Sequence, residues 1–404
     1  MNIIIAGDGE VGFHLAKSLT ELDYNITVVD PHSELPNTVS EKYESELVIQ
    51  GRILSGEKST FYLSMTSAFG SNGANAPIED ATITIIGQNG YETEIAEYDR
   101  MFNHYTINTI NLPQNTLYAV KVVYKEEVYQ SDFQELQTSP EIDEITYKEK
   151  NDGISIHVST HDKEDGRRAY MWTYEEDWEF HSDIDMFKMG LILYNSNIYQ
   201  GSIAYNPYYY CWGHNDSNNI HIYSTEKLKE NRVQEYKLFD IPIDDIRISY
   251  IYSILVKQWS LSDEAYNYFR IQKLYTEESS GLFTPMPTEI QGNMKCISNP
   301  GIKVRGYVLA ATVTSKRIFI YEKDLTITSE YENCHISLPV TNSYNDTWRK
   351  WWLEYVDAGI AIVTLPPSGV LNEESTLYHK ECFDCRLVKG STKKRPDFWP
   401  NNHE

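Results

Sequence analysis

The chain has 404 residues, enough for two or three domains of ordinary size. Its 35 Lys and Arg stand against 59 Asp and Glu, a formal net charge of -24, which argues against the polyanion nucleic acid as a partner. No stretch reaches the ~20 apolar residues that span a bilayer, and the first residues lack a basic segment followed by a long apolar one. We therefore expect no export signal in the chain as it stands.

The first 30 residues have the pattern of a dinucleotide-binding fingerprint. A strand at residues 2–6 leads into a glycine turn, a helix and a second strand that ends at Asp30. In such a fingerprint Gly7 would make the tight turn, Gly9 would admit a pyrophosphate, Gly12 would allow close helix–sheet packing, and Asp30 would accept a hydrogen bond from a ribose hydroxyl. The segment resembles the opening of the nucleotide-binding regulatory subunit of Trk-type potassium uptake systems.

The residues after this fingerprint do not continue it. A working site needs further strand–helix units to complete a parallel sheet, whereas a polar stretch follows Asp30 and short alternating strands follow Ser45. We therefore interpret residues 1–32 as a βαβ fragment that is not an independent domain, and we expect no bound cofactor. A nucleotide-responsive regulatory protein of the Trk type remains the alternative function.

From Leu47 the apolar residues alternate with a period of two, which is typical of half-buried strands. Residues 47–53 and 61–65 show this pattern, and turn residues separate the later strands. Strands at this spacing predict an immunoglobulin-like β-sandwich over residues 40–140, with Ser139 and Pro140 as its exit linker.

Residues 141–404 are predicted to form a larger β-rich domain. Strands at 154–159 and 168–174 read as a hairpin, and Ser262 is a candidate N-cap for a helix near 262–276. The whole chain is thus predicted to be mainly β, with tandem immunoglobulin-like β-sandwich domains and a few helices in the C-terminal region.

The count of five cysteines does not decide whether the protein resides in an oxidising or a reducing compartment. Cys382 and Cys385 form a single CxxC, which could be half of a zinc site or a redox pair. A disulfide arrangement that ties the C-terminal tail to the body through Cys211 or Cys334 is the favoured reading for an exported protein. The connectivity stays open.

Two further groups are candidates for chemistry. His157 and His161 have the spacing of zinc ligands but lie on a strand and lack the usual glutamate. The acidic cluster could pair carboxylates for glycoside hydrolysis, although a solvated strand end is the simpler interpretation; it comprises Glu175, Glu176, Asp177, Glu179, Asp183 and Asp185. No catalytic or metal-binding residue is therefore predicted, and a carbohydrate-active enzyme is the third functional option.

Aromatic residues make up 13% of the chain, with 31 tyrosines. Tyrosine is enriched in half-buried strands and also in binding faces. A run of aromatic side chains is the candidate contact surface: Tyr208, Tyr209, Tyr210 and Trp212.

Several segments in order resemble the uncharacterised DUF4249 family of Bacteroidota envelope proteins, over roughly residues 40–400. They include residues 47–53, 77–83, 170–178 and 281–287. The tail adds two distinctive motifs, Cys-Phe-Asp-Cys at 382–385 and Lys-Arg-Pro-Asp-Phe-Trp-Pro at 394–400.

This resemblance implies an outer-membrane lipoprotein associated with a TonB-dependent receptor of the SusC type, in nutrient uptake or envelope assembly, and it brings no catalytic residues. A lipidated cysteine would be the membrane anchor. Because no cysteine precedes Cys211, we expect that anchor to be missing from this chain.

Overall fold

The structure is a computed structural model, and it describes most of the chain in segments. These are residues 2–6, 25–29, 45–66, 77–113, 115–185, 191–194, 197–200, 208–217, 219–277, 290, 292–332, 334, 337–339, 354, 356–358, 361–365, 367 and 375–400. The chain divides into two compact units, one of Met1–Glu46 with Met65–Ala76 and one of Leu47–Ser64 with Pro77–Glu404.

The smaller unit contains a parallel pair of strands, β1 (Asn2–Ala6) and β2 (Asn25–Val29). Asn2 lies opposite Asn25, and Ala6 lies opposite Val29. Within the described residues no third strand pairs with them.

The remaining strands are short and numerous. The first of them are β3 (Leu47–Ser55), β4 (Lys58–Met65), β5 (Thr82–Gly87), β6 (Glu97–Asp99), β7 (His104–Asn108), β8 (Leu117–Tyr124), β9 (Glu127–Ser131), β10 (Gln134–Glu135), β11 (Ile142–Lys150), β12 (Gly153–His161) and β13 (Ala169–His181). The later ones are β14 (Leu191–Tyr194), β15 (Asn197–Gln200), β16 (Tyr210–Asp216), β17 (His221–Ser224), β18 (Arg232–Pro242), β19 (Ile251–Leu261), β20 (Met294–Cys296), β21 (Val304–Arg305), β22 (Val308–Thr312), β23 (Thr314–Tyr321), β24 (Ser337–Pro339), β25 (Ala361–Leu365) and β26 (Thr376–His379).

The first β-sandwich has two sheets. One has the order β10-β8-β9-β20 with β5 also on β8, and the other has the order β21-β3-β4-β7-β6 with β22 also on β3. The alternation seen in the sequence places every second side chain inside, where it is removed from water. The buried side chains include Ile49, Phe61, Ile83, Tyr105 and Val120.

Three strands of the first sandwich come from far along the chain. β20 pairs with β9 in antiparallel fashion, whereas β21 and β22 pair with β3 in parallel. Asn293 stabilises the start of β22 beside these strands. Its side-chain amide donates a hydrogen bond to Val308 O and accepts one from Val308 N, each at 2.9 Å. The sandwich predicted for residues 40–140 therefore includes strands from beyond residue 290.

The second β-sandwich packs the sheet β11-β12-β18 against the sheet β16-β13-β19-β23, with β17 also on β13. Its apolar core includes Ile156, Tyr170, Trp172, Ile241 and Tyr252. The mainly-β, sandwich-type prediction is confirmed.

The predicted hairpin between residues 154–159 and 168–174 is wrong. β12 pairs with β11 and β18, while β13 pairs with β16, β17 and β19 in the facing sheet. The turn between them, in which the Asp162 side chain accepts from the N–H groups of Glu164 and Gly166, crosses from one sheet to the other. A turn sequence is the same whether its flanking strands pair or separate.

Helix α1 (Asp263–Glu277) follows β19, and the Ser262 side chain accepts from the Ala265 N–H at its start. Ala265 and Tyr268 pack with Trp259 and Leu309 in an apolar cluster that joins α1 to strands of both sandwiches. Ser139, in the predicted exit linker, is buried and donates to Thr312 O while accepting from Ser260 N. This linker is therefore fixed rather than free.

A further sheet has the strand order β15-β14-β25-β26-β24. Its buried residues include Ile192, Ile362 and Val363. No helix among the described residues is long and apolar enough to cross a bilayer.

Candidate functional site

A cleft opens where α1, the outer face of β3 and β4, and the β13 region meet. Gln50, Arg52 and Tyr62 line it, together with three residues of α1 and three that precede β17. These six residues are Tyr268, Phe269, Gln272, Ser217, Asn219 and Ile220. We call it the Arg52 cleft. Its volume is about 300 Å³, at the lower end of the range of small-molecule pockets.

Local geometry explains why Arg52 faces this cleft. Side chains alternate along β3, so Leu47 and Ile49 are buried in the sandwich while Gln50 is turned outward. Gly51 lies so close to β4 that a Cβ there would come within 2.3 Å of the Phe61 ring. The glycine therefore lets the two strands pack at this point, beside Arg52.

Arg52 has no hydrogen-bond or ion-pair partner within the described part of the chain. Its guanidinium lies over the Trp259 ring, 4.6 Å from the ring centroid, an arrangement that stabilises a cation. Burial lowers the pKa of Arg52, and the Tyr62 hydroxyl and the Glu57 carboxylate oppose this effect. Glu57 itself is engaged elsewhere, because it pairs with Lys257 at 3.5 Å.

The rest of the cleft lining is neutral. Among the residues that line it, Arg52 alone carries a charge. Thr60, Asn219 and Gln272 supply polar groups, and Phe269 and Ile220 supply apolar surface. Burial raises the pKa of Tyr268, whose hydroxyl is hydrogen-bonded to Gln50, so this tyrosine is neutral at the cleft wall.

An aromatic ridge continues from the cleft along the same face of the sheet. Tyr62 contacts His104 edge-on with ring centroids 5.5 Å apart, and His104 stacks on Phe102 at 5.9 Å. Tyr62 is 50% exposed and Phe102 is 62% exposed. Exposed aromatic side chains that adjoin one another are typical of binding surfaces.

The acidic cluster is not a solvated strand end, because three of its members are buried on the central strand β13. Glu176 accepts from Arg247 at 2.8 Å and from the Tyr252 hydroxyl at 2.7 Å. Burial raises the pKa of Tyr252 well above its usual value, and Glu176 adds to the rise. Burial alone would lower the pKa of Arg247, but the carboxylates of Asp245 and Glu176 raise it.

The other two buried carboxylates face the opposite side of β13. Asp177 accepts from Arg317 at 3.0 Å and contacts His214 Nδ1 at 2.8 Å, and this bond raises the pKa of His214 against the effect of burial. Glu179 accepts from the Trp399 indole at 2.6 Å. All three carboxylates are thus held by structural partners, and the open groove required for glycoside hydrolysis is not formed by them.

Glu175, another member of the cluster, pairs with Lys257 at 2.9 Å. Asp183 accepts from the Cys334 backbone N–H. The acids of this segment therefore stabilise the fold around β13.

The structure joins the four cysteines singled out in the sequence in two disulfides, Cys211–Cys385 and Cys334–Cys382. The two cysteines of the CxxC motif thus have different partners, so they form neither a redox pair with each other nor a thiolate pair for zinc. Cys296 is a buried free thiol.

The predicted aromatic contact surface is only partly open to solvent. The prediction that Trp212 belongs to an exposed surface is wrong, because Trp212 is 6% exposed and packs against Trp399 of the C-terminal tail. Tyr209 stacks on His181 at 4.8 Å, Tyr210 contacts Tyr209 edge-on at 4.7 Å, and all three are half-buried.

Tyr208 is also half-buried, and the Arg386 guanidinium lies 4.3 Å from its ring centroid. Burial raises the pKa of the nearby Tyr250 to about 12, with Tyr210 adding to the rise. Tyr250 is therefore neutral, and its ring packs against Tyr210 with centroids 5.7 Å apart.

The other sequence candidates have structural roles or lie outside the described residues. His157 is buried, with Nδ1 3.0 Å from Glu235 O and Nε2 2.9 Å from Ser155 Oγ, and His161 contacts Asp143. Within the described segments no group of three or more metal-binding side chains comes together. The fingerprint positions Gly7, Gly9, Gly12 and Asp30 lie outside the described residues.

Sequence reasoning missed the Arg52 cleft. Its residues come from six segments between Gln50 and Tyr307, so no local motif marks it. The one available signal was Gly51-Arg52 within a strand, because glycine inside a strand often marks a close approach of backbone or ligand.

Fold and site together define a mainly-β protein of two joined sandwiches with a cleft where they meet α1. The chain belongs to the DUF4249 family, described as a domain of unknown function, whose model matches residues 33–317. No protein of curated function matches the sequence.

Solved structures with matching segments are distant. A two-domain fibronectin type-III segment from chicken tenascin is 11% identical, with 54% of this chain and 92% of that chain covered and a TM-score of 0.16. A structure of manganese lipoxygenase of Gaeumannomyces graminis, with part of zonadhesin of Komagataella pastoris, is 9% identical, covers 55% and 90%, and has the same TM-score.

Proposed function

We propose that this protein is a non-enzymatic binding or accessory protein at a bacterial outer membrane or cell surface. The observation that carries the proposal is the Arg52 cleft, where an arginine without an acidic partner faces a small, otherwise neutral space. Arg52 is partly buried and lies over the Trp259 ring with no acid bound to it in the described residues. Because a partly buried charge is stabilised by a partner of opposite charge, a ligand that completes the site is the simplest reason for this arrangement.

The disulfides support a location outside the cytosol. Disulfides persist in oxidising compartments and are rare where thiols are kept reduced. Cys211–Cys385 and Cys334–Cys382 both fix the C-terminal region to the body of the protein. This favours an exported protein, in keeping with the envelope role that the family resemblance implies.

In this proposal the partner is a TonB-dependent receptor of the SusC type, and the process is nutrient uptake or envelope assembly. The aromatic ridge of Tyr62, His104 and Phe102 supplies an exposed surface beside the cleft. A ligand held in the cleft would thus lie next to the surface available to a receptor. Membrane attachment would come through a lipid anchor.

The test places a photo-crosslinking amino acid at Phe102 and, as a control, at Leu228, which is also exposed but lies outside the ridge and the cleft lining. Each variant is expressed in a native host, irradiated, and its covalent products are identified by mass spectrometry. We expect a TonB-dependent receptor to be captured from position 102 and not from position 228. Capture of no receptor from position 102, or equal capture from both positions, would contradict the proposal.

A further inference from the structure

We infer that the ligand of the Arg52 cleft is a small organic carboxylate with a ring or other apolar body. This inference rests on the proposed binding function and assigns its ligand class. Its first support is charge balance: the chain has 59 acidic residues against 35 basic ones, yet the Arg52 guanidinium has no acid bound to it within the described residues. We therefore assign an anionic ligand as the partner that this cation lacks among the described residues.

The single charge of the cleft favours a carboxylate over a phosphate. The guanidinium is a planar fork that matches the two oxygens of a carboxylate. A phosphate carries up to two negative charges and usually meets several cations or a nest of backbone N–H groups. Arg52 is the sole charged residue of the lining, and Glu57, held by Lys257, adds negative potential nearby. A monoanion fits this balance.

The side walls indicate the rest of the ligand. Phe269, Ile220 and Met171 present apolar surface, while Gln50, Asn219 and Gln272 present neutral polar groups. An apolar or ring-shaped body can pack against the former while a few polar substituents meet the latter. The volume of about 300 Å³ limits the ligand to the size of a small metabolite.

The cleft is also formed before any ligand arrives. The Arg52 guanidinium is positioned by the Trp259 ring, and Trp259 is itself fixed in the buried cluster with Leu261 and Ala265. Arg52 therefore does not need to be ordered at the moment of binding, which reduces the entropic cost of association.

The experiment is calorimetric titration of the full chain with matched pairs of probes. Benzoate and cyclohexanecarboxylate are compared with the neutral amides benzamide and cyclohexanecarboxamide, and inorganic phosphate is titrated separately. We expect each carboxylate to bind at least roughly tenfold more tightly than its amide, since a hydrogen bond to a charged group contributes that much or more. Phosphate should bind more weakly than either carboxylate.

Variants of the cation complete the test. Arg52→Met should weaken carboxylate binding roughly 10- to 100-fold, and Arg52→Lys should retain part of it. Arg232→Met, which removes the same charge at an exposed site outside the cleft lining, should leave it unchanged. Thermal melting of each variant shows that it is folded, and if Arg52→Met does not fold, the comparison of carboxylate with amide on the unmodified chain decides.

The inference is overturned if neither carboxylate binds, or if the carboxylates bind no more tightly than the amides. It is also overturned if phosphate binds more tightly than the carboxylates, or if Arg52→Met binds them as well as the parent does. Failure here is distinguishable from failure of the proposed function. Receptor capture from position 102 without carboxylate binding would leave the envelope role standing and remove the ligand class. Carboxylate binding without receptor capture would leave the ligand class standing and remove the envelope role.

Discussion

Trp399 donates its indole N–H to Glu179 at 2.6 Å, and both side chains are almost completely buried although 220 positions separate them. The bond lies between the C-terminal tail and the central strand of the second sandwich. Trp212 and Thr392 exchange two backbone hydrogen bonds of 2.8 Å beside it. The tail is thus part of the folded core, where it covers one face of β13 and its neighbours.

The first prediction concerns this bond. Trp399→Phe keeps most of the apolar surface but removes this donor from the buried Glu179 carboxylate, so we expect a loss of about 2–3 kcal/mol in the free energy of unfolding. Phe398→Leu is the control, because Phe398 is 45% exposed and its ring lies against the Arg317 guanidinium; it should cost less than about 1 kcal/mol. Urea unfolding measures both, and equal losses would contradict a specific role for the indole.

The second prediction is a pH dependence caused by His221. Burial, with a smaller contribution from Lys273, lowers the pKa of His221 from 6.5 to about 4 in the folded protein, and Nε2 has no hydrogen-bond partner in the described residues. Between pH 4 and pH 6.5, His221 is therefore protonated in the unfolded chain but neutral in the folded protein. The contribution of neutral His221 to the free energy of unfolding is therefore fully present above pH 6.5. It is lost as the pH falls toward 4, and the total loss is about 3 kcal/mol.

The test compares the parent with His221→Phe, which cannot be protonated and can still pack against Tyr174. Urea midpoints are measured from pH 4 to pH 7. We expect the slope in the parent to be steeper than in the variant. Identical slopes would show that other groups cause the pH dependence.

The third prediction concerns the disulfide Cys211–Cys385, which closes a loop of 174 positions. Replacing both cysteines with serine should lower the free energy of unfolding by about 2–5 kcal/mol. Cys296→Ala is the control, since this buried thiol forms no disulfide. Melting with and without reductant measures the effect: reductant should destabilise the parent and the control, whereas a parent insensitive to full reduction would contradict the prediction.

The fourth prediction separates two glycines with positive φ. Gly153 has φ +143°, and a Cβ there would lie 2.0 Å from Ile241 O on the paired strand, whereas Gly56 has φ +96° and open space around it. Gly56→Ala should cost about 1 kcal/mol from its backbone conformation alone. Gly153→Ala should cost roughly 3 kcal/mol or more, because the strands β12 and β18 must separate. Similar losses in the two variants would argue against this strand contact.

Local patterns predicted the strands well, because a period of two in apolar residues has a direct physical cause in one buried face. Strands near residues 47–53, 61–65 and 154–159 all appear in the structure. Which strands pair is decided by contacts between distant segments. Hence the local pattern predicts one hairpin for β12 and β13, which lie in facing sheets, and it gives no sign that β22 pairs with β3.

The acidic cluster shows that the burial of a side chain, like the pairing of strands, depends on contacts between distant segments. Consecutive acids normally lie in water, so Glu176, Asp177 and Glu179 suggested a solvated strand end. Their burial is possible only because Arg247, Arg317 and Trp399 reach them from elsewhere in the chain. A sequence does not reveal partners that tertiary contacts supply.

The sequence by itself determined the mainly-β class, the family and the four cysteines of interest, since each depends on residue types and short-range order. The tertiary structure alone decided the cysteine pairing, the burial of the acids and the place of Arg52. An arginine in a strand is ordinary until folding brings Trp259 beneath it and pairs the nearby Glu57 with Lys257. The cleft therefore exists only in the folded chain, because its residues come from segments that packing brings together.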